Sequence, residues 1–128
     1  MGSIGPALSP RMRLNRLQQT AVTALEDIKA RDITVLDVRK LTSLYDTLIV
    51  ASADSARQVK ALARHVRDKL KEGGADIIGV EGEEAGEWIL VDAGDVVVHV
   101  MQPAVRTYYN LEELWSAPAR RAKAARAA

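Results

Sequence analysis

The chain has 128 residues with a net charge of +1, and 48% of them are hydrophobic, enough for one domain with a buried core. The absence of Cys removes disulfides, thiolate metal sites and Cys nucleophiles, and it fits a reducing compartment. No apolar run reaches the roughly 18 residues of a membrane helix, and no apolar core of a signal peptide is visible.

Residues 1–13 include Gly2, Gly5, Pro6 and Pro10 and read as a flexible leader. From Leu14 the apolar residues Leu17, Ala21, Ala24, Leu25 and Ile28 fall on one stripe, which predicts a helix. Residues 33–38 read as a strand, 39–45 as a loop, and 46–52 as a buried strand. Ser55 with Gln58 three residues on forms a capping box. The helix it opens runs to Glu72, with Val59, Leu62, Ala63, Val66 and Leu70 on one face, and Gly73-Gly74 stops it.

A third strand is expected over 75–80, an acidic turn over 81–86 and a fourth strand over 88–91. The Ala93-Gly94 turn predicts a hairpin into a fifth strand, 95–101, ended by Pro103. Val96-Val97-Val98 is apolar at successive positions, so this strand should be covered on both faces. Leu111, Leu114 and Trp115 predict a short closing helix. The Ala/Arg-rich stretch 117–128 has no apolar stripe and is expected to be disordered. Residues 14–116 therefore form one α/β domain, a mixed five-stranded sheet flanked by helices.

Charge is unevenly placed. Residues 1–16 carry Arg11, Arg13 and Arg16 and no acid, and residues 116–128 carry Arg120, Arg121, Lys123 and Arg126 and no acid. The segment 17–115 holds all 17 acids and 11 of the 18 bases, a balance of −6. Phosphate-backbone binding draws on clustered Lys and Arg, so the folded part is poorly suited to it. A basic protein partner fits better.

Catalytic patterns are missing. His65, mid-helix among Arg64, Arg67 and Asp68, reads as a solvated side chain. His99, between Val98 and Val100, reads as a core or edge histidine with one satisfied hydrogen bond. There is no Gly-x-Ser-x-Gly elbow, no zinc spacing and no phosphate-binding glycine loop. Asp92 and Asp95 flank a two-residue turn, where Asp is a good turn former, and no cation lies between 73 and 95 to support phosphoryl chemistry. No cofactor or metal is expected. Trp88, beside Gly86 and Glu87, fits either a core position or an interface anchor.

The run from Val80-Glu81-Gly82 through Gly86-Glu87-Trp88 to His99-Val100-Met101 resembles the central signature of the Iojap, or ribosomal silencing factor, family. Arg106 and then Tyr109-Asn110-Leu111-Glu112-Glu113-Leu114-Trp115 resemble its closing motif. Upstream, Asp37-Val38, Leu41-Thr42, Asp46 and Ser55-Ala56-Arg57-Gln58 also match, so the resemblance covers about residues 18–116. Thr47 and Leu48 stand where the family usually has an aromatic pair, and Ala53 where it usually has Gly.

The resemblance implies a fold similar to nucleotidyltransferases without their catalytic pattern. It also implies a non-enzymatic factor that binds the large ribosomal subunit through ribosomal protein L fourteen. Such a factor blocks joining of the small subunit and represses translation, and members tend to be homodimers. The implied setting is bacterial cytoplasm rather than an organelle, with no membrane and no direct nucleic-acid contact required. The candidate partner-binding set is an apolar anchor of Trp88, Met101 and Tyr109, together with Glu81, Glu87, Asp95, His99 and Arg106. Two rival readings are a nucleotidyltransferase-type enzyme, on shared fold alone, and an RNA binder led by the basic tails.

Overall fold

The structure, a computed structural model, describes residues 9–116. Helix α1 spans Pro10–Asp27. It begins four residues before its apolar stripe, inside the stretch expected to be leader. The Ser9 side chain accepts the Met12 amide hydrogen at 3.2 Å, and Pro10 brings a helix-ready φ to the first turn. A local cap therefore starts this helix before burial requires it. Residues 117–128, expected to be disordered, lie outside the described residues.

Strands β1 (Arg31–Asp37) and β2 (Thr47–Ser52) follow, then helix α2 (Ala56–Glu72). Ser55 caps α2 by accepting from the Gln58 amide at 3.1 Å. The turn at Gly73 closes it, its N–H bonded to the Lys69 carbonyl. Strands β3 (Gly79–Glu81), β4 (Trp88–Asp92) and β5 (Val96–Met101) complete the sheet. β3 is only three residues long, because its register with β4 begins at Gly79.

Two helices close the described chain, α3 (Pro103–Tyr109) and α4 (Leu111–Ser116). The first was not expected. Pro103 ends the strand, and it also sits at the first turn of a helix, where its missing N–H costs nothing. Asn110 adopts the left-handed conformation at φ 48 and redirects the chain between the two helices.

The strand order is β1-β2-β5-β4-β3. β2 and β5 pair in parallel, and the other three pairs are antiparallel, so the sheet is mixed. Its two central strands are buried at every position, as the Val96-Val97-Val98 run requires. One face carries Ile49, Ala51, Ile89, Val91, Val98 and Val100 against the buried stripes of α1 and α2. Each of these Ile and Val side chains contributes roughly 1.5–3 kcal/mol of burial, and Ala51 less. The other face, with Leu48, Val50, Val97 and Met101, is covered by shorter pieces: Leu41 and Tyr45 of a loop, Val105 of α3, and Leu111 and Trp115 of α4.

The three departures from the family pattern all fall inside the core. Thr47, Leu48 and Ala53 are buried, and Thr47 accepts a hydrogen bond from the Gln18 amide at 2.6 Å, tying α1 to β2.

Candidate functional site

The thinly covered face ends in a rim of aromatic and acidic side chains at the start of β4. In the register, Trp88 stands opposite Met101, and Leu90 opposite His99. Trp88 and Leu90 point to one face, as do Met101 and His99 across from them. Trp88 leans over His99 and donates its indole N–H to His99 Nδ1 at 2.8 Å, with ring centroids 5.8 Å apart. Tyr109 also packs on Trp88, with centroids 4.8 Å apart. Tyr108 meets Tyr109 edge-on at 5.0 Å.

Exposure grades outward along this row. Met101 is 0% exposed and His99 7%, Trp88 is half-buried, and Tyr109 and Tyr108 are 53% and 81% exposed. Burial pushes the His99 imidazole down to about 4, so it is neutral at ordinary pH.

Beside Trp88 lies the acidic turn. A cleft of about 440 Å³ is lined by Gly82, Glu83, Glu84, Ala85, Glu87 and Trp88. The turn is fixed by its backbone. Gly82 and Gly86 have φ of +89 and +70, which favour glycine. Gln102, between β5 and α3, donates its backbone N–H to the Glu87 carbonyl (2.9 Å) and its side-chain amide to the Gly86 carbonyl (3.0 Å). Glu83, Glu84 and Glu87 are exposed, and Glu81 ends β3 in the His99–Leu90 row, also exposed.

The candidate residues thus divide. Trp88, His99, Met101, Tyr109 and Glu87 come together, with Glu81 at the sheet edge. Met101, expected as part of the apolar anchor, shows no surface in the free chain and lies opposite Trp88 in the register. Arg106 is held as a strut within the fold. It donates to Glu112 (2.9 Å), Ser52 Oγ (2.8 Å) and Thr34 Oγ1 (3.0 Å), and its side chain is only 11% exposed. Asp95 lies at the far end of the sheet, where its carbonyl accepts from the Asp46 and Thr47 amides. Asp92 is the turn former expected, its carboxylate accepting from the Gly94 amide at 2.9 Å. His65 is not freely solvated: it joins α2 to α1 through Asp27 at 2.9 Å.

Tyr108 and Gln102 were missed. For Tyr108 the signal was the helical spacing of Val105 and Tyr109 after Pro103, hidden because the proline read as a stop; Gln102, ahead of the proline, carried none.

A family model described as "Ribosomal silencing factor during starvation" matches residues 11–127. The chain belongs to this family. Among the relatives of this silencing factor family, "Ribosomal silencing factor RsfS" of Chromobacterium violaceum is 62% identical over 104 residues, 81% of this chain and 85% of that protein. The crystal structure of a Chromobacterium violaceum protein superposes with TM-score 0.78 at 63% identity, covering 80% of this chain and 85% of that one. A mouse protein named "Mitochondrial assembly of ribosomal large subunit protein 1" is 33% identical over 98 residues, 74% of this chain and 43% of its own length. The family description names a silencing factor and not a catalyst. Among the described residues, no helix is long and apolar enough to cross a membrane, and no three His, Cys, Asp or Glu gather as metal ligands.

Proposed function

We propose that the chain is a silencing factor that binds the large ribosomal subunit through ribosomal protein L fourteen, blocks small-subunit joining and so represses translation in the bacterial cytoplasm. Membership of the silencing-factor family supports the ribosomal target. The mouse relative's name, which refers to large-subunit assembly, supports the large subunit as the side bound.

The observation that carries the contact surface is the rim itself. Half-buried Trp88 lines a cleft with Glu83, Glu84 and Glu87 and packs on exposed Tyr109, which meets exposed Tyr108, and no Lys or Arg occurs between 73 and 95. Aromatic anchors give affinity, acids steer a basic partner, and Lys or Arg side chains of that partner can stack on the open aromatic faces. Blocking then needs no chemistry, since a domain of this size on the joining surface excludes the other subunit by volume. The same reading takes the chain as a homodimer in solution.

Separated ribosomal subunits on a density gradient test it. The protein should co-sediment with the large subunit and reduce joining, and undiminished joining at saturating protein would sink the reading. Trp88→Ala should weaken large-subunit binding by roughly 2 kcal/mol while its circular dichroism stays that of wild type. Analytical ultracentrifugation reads the homodimer.

A further inference from the structure

His99 is the one strongly buried ionisable side chain of the rim, and silencing by exclusion gives it no chemical task. Its surroundings define its state. Val50 on β2 and Leu90 on β4 flank it in the register, with Thr34 and Glu81 further out along the same row. From α3, Tyr109 packs on Trp88, and Arg106 is occupied by Glu112, Ser52 and Thr34. Burial lowers the imidazole pKa, and the hydrogen bond from Trp88, which only the neutral ring can accept, acts in the same direction.

The hydrogen bond also settles the tautomer. An indole N–H is only a donor, so His99 Nδ1 must carry a lone pair and the ring proton must sit on Nε2. Trp88 hangs at the very start of β4, next to a turn, and a ring there has rotamers to choose from. The acceptor at 2.8 Å and the Tyr109 ring at 4.8 Å select one of them.

We infer that His99 is a positioning residue for partner binding: its Nδ1 lone pair holds the Trp88 indole in the presented orientation, and His99 makes no partner contact of its own. This rests on the proposed role of the rim in binding the large subunit. Protonated His99 has two donors and no acceptor, so charging it breaks the bond and frees the ring.

Indole N–H resonances of the free 15N-labelled protein test the bond without the ribosome, with Trp88→Phe assigning the signal. His99→Asn keeps an acceptor near the Nδ1 position, and His99→Leu fills the site without one. The Trp88 indole hydrogen should exchange with solvent about ten-fold more slowly in wild type and His99→Asn than in His99→Leu. Large-subunit affinity should fall about ten-fold in His99→Leu and recover in His99→Asn. In wild type the indole signal should also move together with the His99 ring signals as pH is lowered to about 4, which decides the matter even if His99→Leu does not fold.

An indole signal that ignores the His99 titration, or an indole equally protected in His99→Leu, would overturn the inference. So would weakened binding in both variants with the indole still protected, because His99 would then touch the partner itself. If the indole results hold but Trp88→Ala binds large subunits as wild type does, it is the rim's ribosomal role that fails.

Discussion

Gly82 is held at φ +89, and a Cβ added there would stand 2.1 Å from the Trp88 carbonyl oxygen. Backbone cannot give way as a flexible side chain can, so Gly82→Ala must both strain φ and displace the start of β4. A loss of about 3 kcal/mol in urea unfolding is expected, with weaker large-subunit binding, because the residue displaced is Trp88. His99 gives a pH signature at the same scale. Its unfolded pKa is near the ordinary 6.5 and its folded value is about 4, so the unfolded chain takes up the proton first. Its contribution is full above pH 6.5 and is lost as pH falls towards 4, by up to roughly 3 kcal/mol. Unfolding free energy measured between these limits should slope for wild type and much less for His99→Leu. Asp37, held down to about 2 by Arg39, acts lower: its contribution is present above pH 3.8 and is lost as pH falls from there to about 2, weakly because the pair is exposed. The sequence marked Trp88 as informative but left open which way it faced. The indole bond to His99 depends on strand register, and register is a long-range property that no local spacing encodes.

At the scale of elements, legibility followed the source of each signal. α2 was readable end to end because its cap, stripe and glycine stop are all local. β3 was misplaced because only two of its expected residues, Gly79 and Val80, find a ladder partner, and the third paired residue, Glu81, comes from the expected turn. α3 was missed because Pro103 serves two roles, and its helix is held by a side chain rather than by an apolar stripe: none of its residues is buried. That side chain is Arg106, which fastens α3 to β1, β2 and α4 at once. Arg106→Met keeps much of the bulk and removes every one of these bonds, leaving Glu112 half-buried without its cation. We expect a loss of about 2 kcal/mol and faster hydrogen exchange in α3 and α4, with α2 unchanged. Arg106→Lys should recover only part, since an ammonium cannot bridge three acceptors in a plane. Equal exchange in α2 and α3 would show general destabilisation instead of a released strut.

For the whole molecule, the mixed sheet and its helices were legible because β2, β5 and the two long helices are apolar in patterns that only burial satisfies. The division of the faces was not: α1 and α2 cover one fully, whereas loops and short helices cover the other and leave the aromatic rim at its end. Charge sharpens this asymmetry, with acids gathered beside the rim and the balance of −6 confined to residues 17–115. Exposed charges act over a distance of about 8–10 Å before salt screens them, so they should speed encounter with a basic partner more than they hold the complex. Replacing Glu83, Glu84 and Glu87 together with Gln keeps the shape of the turn, because its geometry depends on Gly82, Gly86 and the bonds from Gln102. The association rate with large subunits at low salt should drop roughly three- to ten-fold, and the dissociation rate should change little. Raising salt should slow wild type towards the variant and leave the variant nearly flat. Stopped-flow association at two ionic strengths separates the cases: equal rates for both proteins at both salts would reduce the acids to solubilising an exposed turn and leave recognition to Trp88 and the two tyrosines.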